Sequence, residues 1–381
     1  MIISVDQRFL ANSFCTVTVS TQSNQAIKPP QSVMFYGLHG AGKTVLLRKL
    51  QDDASAFGAL PLSIEINRTA SLAALLVPAF KGLLIHLSFR ESAKNKIDSA
   101  LGALRSFVDY IRTKCPDVEV SLDVPKLPGV ADSGNFILDL TQLLCRIGEV
   151  ARDARTAVII FADDVQFLSK EDLSALLSAL HQAGQRFLPV MMIGAGLPSV
   201  IACAVEAKAY AERLFRFVEI RALNRDSALE SLENPAIAQG VAYDAAAAAF
   251  IIGAARGYPF FIQTWGHFAW RVFAGSSESI ITPAVAKKAA LLAVASLDAG
   301  FFRLRMERPT PKEKEFLIHM ALIERPSIRT ADIAKSMNCR STALSSIIAR
   351  LIKKGVIHSP QYGELAFSVP MLDDYLRRIS R

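Results

Sequence analysis

Eight consecutive residues, Gly37-Leu-His-Gly-Ala-Gly-Lys-Thr44, set a lysine and a hydroxyl behind two fixed glycines. The spacing G-x-x-x-x-G-K-[ST] suits the holding of a polyphosphate. Gly37 and Gly42 permit backbone dihedrals and close approaches that let successive N–H groups converge on an anion. Lys43 would reach the β- and γ-phosphates, and the Thr44 hydroxyl would bind Mg²⁺. The remaining expected contacts of this loop with nucleotide are His39, Gly40, Ala41 and Val45. Average residue usage places such an octet by chance in a chain this long about once in a hundred.

A Mg·ATP site also needs a carboxylate at the end of a neighbouring strand. The stretch AVIIFADDVQ supplies Asp163 and Asp164. Asp163 is placed to hold Mg²⁺, directly or through water. Asp164 has two readings: base for the attacking water, or N-cap of a following helix. Arg213 and Arg216 lie in YAERLFRF, and each also has two readings. One is an arginine that reaches the γ-phosphate of a neighbouring subunit; the other is a surface ion pair. IGAGLP offers no polar side chain to sense a γ-phosphate, and the direction of Arg256 is not set by sequence.

The elements around these residues follow from periodicity. SVMFYG is a short apolar strand entering the octet, and TVLLRKLQDDA continues from it with helical spacing. The loop therefore lies between strand and helix, where a helix N-terminus adds partial positive charge. PLSIEIN is a second strand, Leu72 to Arg112 two helices, VEVSLDVPKLPGVADSG a strand or hairpin with a loop, and Asn135–Arg152 an amphipathic helix. The apolar run in TAVIIFADDVQFL predicts a strand buried on both faces, as in a parallel sheet. A helix over Ser169–Gly184 and a buried strand in LPVMMIGAGLPSV follow. This alternation predicts an α/β fold with a parallel sheet core over 31–222. Residues 223–300 are nearly all helical and form a lid, with the alanine-rich Ala245–Phe250 as a buried helix. Residues 1–30 are irregular and end in the breaker KPPQS.

Thr310-Pro-Lys-Glu313 is a capping box with proline at the first helical position. It opens PKEKEFLIHMALIE; helices in TADIAKSMN and CRSTALSSIIARLIKKG follow, then two short strands around QYG. Three helices and a hairpin in this order predict a C-terminal winged helix-turn-helix over 301–381. In the third helix Leu344, Ile347, Ile348 and Leu351 form one apolar stripe. Ser341, Thr342, Ser345 and Ser346 mostly avoid that stripe, leaving the helix small and polar outside, as suits a major groove. Arg329, Lys335, Arg340, Lys353 and Lys354 suit phosphate contacts. The same fold also docks proteins, and that alternative stays open.

Charge is distributed to match. Residues 301–381 carry 15 lysines and arginines against 8 acids, whereas the other 300 residues carry 28 against 27. Nearly all of the net +8 thus sits in the last fifth of the chain, either a solvated basic surface or the electrostatic footprint of nucleic acid, and the winged-helix pattern tips the reading toward double-stranded DNA. The five cysteines are scattered without a CxxC pair, which argues against a disulfide framework or zinc site. MIISVDQRFL lacks the pattern of a signal peptide, and no run of 18 apolar residues occurs. A cytoplasmic protein without membrane partners is the expectation.

The set GLHGAGKTVLL, VIIFADDVQ, IGAGLPSV, YAERLFRFVEI, GYPFFIQTWG and KKGVIHSPQYGELAFSVPMLDDYLRR resembles the AAA+/STAND group of P-loop ATPases. More closely, from about Ser32 onward it is similar to a widespread bacterial family of ATP-binding proteins with an origin-initiator-like ATPase core and a C-terminal winged helix. The resemblance implies an ATPase core, a helical lid, and DNA-directed or signalling activity with nucleotide-dependent assembly. It also implies that Pro259, within Gly257-Tyr258-Pro259, packs on the adenine. The chain departs from the family in Asp164, where Glu is usual, and in His39 and Ala41, where Arg and Val are frequent. Two functional readings follow. One is an ATP-driven switch that binds DNA. The other is a STAND-like signalling ATPase, or a transposition or phage-defence accessory ATPase, whose tail docks a protein.

Overall fold

Alternating strands and helices in the first half build one sheet, described here from a computed structural model that covers residues 31–89, 94–114, 124–274 and 278–380. The segment 1–30, with Cys15, and also Cys115 lie outside the described residues. β1 (Ser32–Tyr36) runs into the octet and α1 (Lys43–Ala56) leaves it. β2 (Leu60–Glu65), α2 (Leu72–Ser88), α3 (Lys94–Lys114) and α4 (Phe136–Asp153) follow. β3 (Val158–Asp163) ends in a single 3₁₀ turn, Val165–Phe167, before α5 (Lys170–Gln185). β4 (Val190–Gly196), α6 (Val200–Ala207), α7 (Ala211–Leu214) and β5 (Phe215–Glu219) complete the layer.

The strand order is β2-β3-β4-β1-β5, and every pairing is parallel. The period of two explains how one sheet serves two cores. Val33, Phe35, Ile159, Phe161 and Ile193 pack with α1 on one face. Met34, Ile160, Ala162 and Met192 face a larger cluster from α2 to α5 on the other. Side-chain caps fix the helix starts: Asn135 accepts from the amides of Ile137 and Leu138, and Ser169 from that of Asp172. The α/β parallel core is thus as expected, with two differences. Residues 124–134 of the expected hairpin segment are irregular, while 118–123 lie outside the described residues. FRFVE, not singled out as a strand, is β5 and closes the sheet beside β1.

In the second half come α8 (Arg225–Ile237), β6 (Ala242–Tyr243), α9 (Ala245–Ala254), α10 (Pro259–Phe273), β7 (Ile280–Ile281) and α11 (Pro283–Leu297). A π-turn, Asp298–Phe302, carries α11 directly into α12 (Arg303–Glu307). α13 (Pro311–Leu322), β8 (Ile328–Arg329) and α14 (Thr330–Ser336) come next, then a 3₁₀ turn, Ser341–Leu344, and α15 (Ser345–Lys353). β9 (Ile357–His358), β10 (Glu364–Phe367) and α16 (Leu372–Ile379) end the chain's described part. β8, β10 and β9 form a small antiparallel sheet. The boundary expected near residue 300 falls inside a continuous helical run. Phe261 and Trp265 of α10 share one core with Phe316 of α13 and Tyr375 of α16. No helix among the described residues is long and apolar enough to cross a membrane.

Candidate functional site

The octet wraps the N-terminus of α1. Gly42 takes φ 92°, a left-handed conformation that glycine adopts at no steric cost, and it is the N-cap without a side-chain bond. The free amides of the first helical turn therefore face the loop's interior. A Cβ at Gly37 would overlap the Ile220 carbonyl oxygen, so the loop enters between β1 and the end of β5 only with glycine there. His39, Gly40 and Gly42 are half-buried, Gly37 and Ala41 buried, and Thr44 and Val45 exposed.

Lys43 is only 8% exposed, and its Nζ donates to the carbonyls of Gly37 at 3.0 Å and Leu38 at 2.9 Å. Burial pushes its pKa down to about 8, while Asp163 and Asp164 pull it back up. Thr44 Oγ1 donates to Asp163 Oδ2 at 2.6 Å, tying the first turn of α1 to the end of β3. The other carboxylate oxygen of Asp163 accepts from the Asp164 amide at 2.9 Å. Asp164 sits at φ 57°, ψ 38°, at the N-cap of the 3₁₀ turn, but its side chain makes no capping bond. Its Oδ1 accepts instead from Gln166 Nε2 at 2.9 Å. Burial raises the Asp164 carboxyl above its ordinary range.

Thus Lys43, Thr44, Asp163 and Asp164 are brought together, and sequence spacing alone had linked only the first two. Arg213 and Arg216 are not brought to them. Both are exposed, and Arg216 pairs with Val33 at the start of β1, the end opposite the loop. From β5 to β3 there are three strand spacings, about 14 Å. Pro259 is buried at the first position of α10, next to Phe260, whose amide donates to the Gly40 carbonyl at 3.2 Å. Arg256 points away from the loop, pairing with Asp373 at 3.3 Å and Asp374 at 2.5 Å of α16.

The C-terminal elements touch the loop directly. The His39 amide donates to the Ser368 carbonyl at 3.0 Å. Arg68 Nη2 donates to the carbonyls of Lys353 and Lys354, both at 3.3 Å. The His39 ring is driven down to about pKa 4 by burial first, then by the nearby charges of Arg305 and Lys43, so it is neutral at pH 7. Arg340, Ser341, Thr342, Ser345 and Lys353 are exposed at the two ends of the third helix of this unit. Lys354 is placed otherwise than the sequence suggested. Its Nζ donates to the carboxylate of Glu313, which is 0% exposed, at 2.5 Å, and to the Arg308 carbonyl at 3.1 Å. Its ammonium is directed inward, to a buried anion, and not toward a ligand in solvent.

Sequence reasoning missed Gln166, Arg68 and Ser368. Gln166 was visible inside VIIFADDVQ, three residues past Asp163. Arg68 and Ser368 carry no local signal, because their partners lie hundreds of residues away.

Residues 23–193 match the AAA ATPase domain family, and residues 299–376 match a domain of unknown function, DUF8462. The fold is similar to that of a Walker-type ATPase of Pyrococcus abyssi, at 14% identity and a TM-score of 0.55, covering 91% of this chain and 90% of that one. Lower likenesses are to Aeropyrum pernix Orc1 in complex with DNA (15% identity, TM-score 0.46, 99% and 93% covered) and to the Thermotoga maritima RuvB Holliday junction branch migration motor (13%, 0.44, 98% and 95%). No protein of curated function matches the sequence.

Proposed function

We propose that this chain is an ATP-binding and ATP-hydrolysing switch of the AAA+ type, acting in the cytoplasm, whose C-terminal unit is a winged helix that binds double-stranded DNA. One observation carries the nucleotide reading. The Thr44 hydroxyl and the Asp163 carboxylate meet at 2.6 Å, beside a buried lysine and a helix N-terminus. Thr44 Oγ1 would hold Mg²⁺, and Asp163 beside it would do so directly or through water, with phosphate and water as the remaining ligands. Bound there, Mg²⁺ would neutralise charge on the β- and γ-phosphate oxygens.

The chain's own residues divide the remaining work. Amides of the loop from Gly37 to Val45 cradle the phosphates, and Lys43 exchanges its two carbonyl partners for phosphate oxygens. Pro259 packs on the adenine, the role that the resemblance implies for it. Asp164, with its carboxyl raised by burial, takes a proton from the attacking water. Arg213 or Arg216 serves the site of a neighbouring subunit, since neither reaches its own. The basic excess of residues 301–381 and the exposed Arg340, Ser341, Thr342, Ser345 and Lys353 support the DNA reading. The contacts from His39 to Ser368 and from Arg68 to α15 favour a second reading, in which this unit is a protein-docking module.

Lys43→Ala and Asp163→Ala test the core claim. Equilibrium titration with a fluorescent ATP analogue should show at least a ten-fold loss for Lys43→Ala, the removal of a charged phosphate contact. Asp163→Ala should make binding indifferent to Mg²⁺. Unchanged affinity in both variants would falsify the nucleotide site.

A further inference from the structure

The far end of β4, Gly194-Ala-Gly196, brings no polar side chain to the phosphate side of the sheet. A side chain from elsewhere fills that place. Gln166, in the 3₁₀ turn after β3, reaches across to β4, and its Oε1 accepts from the Leu197 amide at 2.9 Å. A Cβ at residue 196 would stand 2.6 Å from that same oxygen, so glycine at 196 makes the room for it. Because Oε1 faces an N–H, the amide can lie only one way round, and Nε2 must face Asp164. It does so at 2.9 Å from Oδ1. Asp164 is gripped on its other side as well, its amide donating to Asp163.

We infer that Gln166 is the positioning residue of the hydrolytic step: it holds the Asp164 carboxylate in one direction and couples it to the end of β4. The claim rests on the reading of Asp164 as the base. In that step the water oxygen bonds to the γ-phosphorus as its proton passes to Asp164. The bond from γ-phosphorus to the β–γ bridging oxygen breaks, and ADP leaves with the electron pair; the proton then passes from Asp164 to solvent. An aspartate, one methylene shorter than glutamate, has less reach, so a fixed direction matters more to it. Any shift at Leu197 would reach the base through two hydrogen bonds.

The test uses the full chain. Equilibrium ATP-analogue binding and steady-state turnover are measured from pH 5 to 9 for wild type, Lys43→Ala, Gln166→Ala and Gln166→Glu. Glutamate retains an oxygen for the Leu197 amide but has no N–H for Asp164, so it keeps the local fold and removes the one bond at issue. Both Gln166 variants should bind nucleotide within about two-fold of wild type and lose about ten-fold in kcat at unchanged KM. Turnover that needs Lys43 but equals that of wild type in both Gln166 variants overturns the role of Gln166. Turnover indifferent to Lys43→Ala overturns the nucleotide reading itself.

Discussion

Lys43 shows how one residue answers to two environments. Its ammonium is buried against the carbonyls of Gly37 and Leu38, with the acidic pair near, and titrates at about 8 in place of 10.5. Between those values the folded protein has lost the proton and the unfolded chain keeps it. Stability contributed by this group therefore rises with pH across that window. Affinity for a polyphosphate moves the other way, since unliganded Lys43 becomes neutral above about pH 8. ATP-analogue affinity should fall about ten-fold for each unit above pH 8, with proton uptake on binding seen by calorimetry in buffers of different ionisation enthalpy. A flat affinity from pH 7 to 9.5 would contradict the assignment. The octet and the residue pair Asp163-Asp164 were legible in sequence because each is local. The bond between Thr44 and Asp163 spans 119 positions and was only inferable through the fold.

At the scale of elements, the capping box of α13 has a second use. Glu313 Oε2 accepts from the Thr310 amide at 2.7 Å, as the sequence pattern requires. The same buried carboxylate also accepts from Arg350 at 2.9 Å and Lys354 at 2.5 Å on α15 and the residue after it. Burial pushes its pKa up, but these bonds outweigh burial and hold it at about 2, against 4.5 in the unfolded chain. The stability it contributes is complete above pH 4.5 and is lost as pH falls toward 2. Thermal unfolding should therefore show a steep fall in Tm between pH 4.5 and 2. Glu313→Gln should flatten that slope, and Lys354→Ala should lower Tm at pH 7, by about 2 kcal/mol or more in stability. Charge read along a sequence has no direction, and so Lys354 looked like a surface cation. The strand β5 was missed for a related reason. Its alternation is brief, and only pairing with β1 defines it as a strand.

At the scale of the whole molecule, the C-terminal unit does not hang from the core. It shares a core with α8 to α11, meets the octet through Ser368, and meets Arg68, beyond β2, through the end of α15. Arg256, between α9 and α10, ties down α16, as does Arg378 with Asp298 at 2.6 Å. The face at Arg340, Ser341, Thr342 and Ser345 stays exposed in this arrangement. Arg340→Glu with Lys353→Glu leaves the Glu313 network intact and tests that face alone. Duplex binding measured against salt should weaken, and the slope of log K on log salt should shrink by about one per lost phosphate contact. Equal DNA affinity in wild type and variant, with loss of a protein partner in the variant, would favour the docking reading.

Sequence alone determined the glycine-lysine octet, the acidic strand end, the parallel α/β core and the concentration of positive charge near the C-terminus. Each is written in neighbouring residues or in a short period, which local chemistry reads without knowing the rest of the chain. Tertiary structure alone decided which ends meet: Thr44 with Asp163, Gln166 with Leu197, Lys354 with Glu313, and His39 with Ser368. These contacts depend on strand order and on how the second half packs over the first. A hydrogen bond is directional and short, so its partners are fixed only when the elements carrying them have been placed.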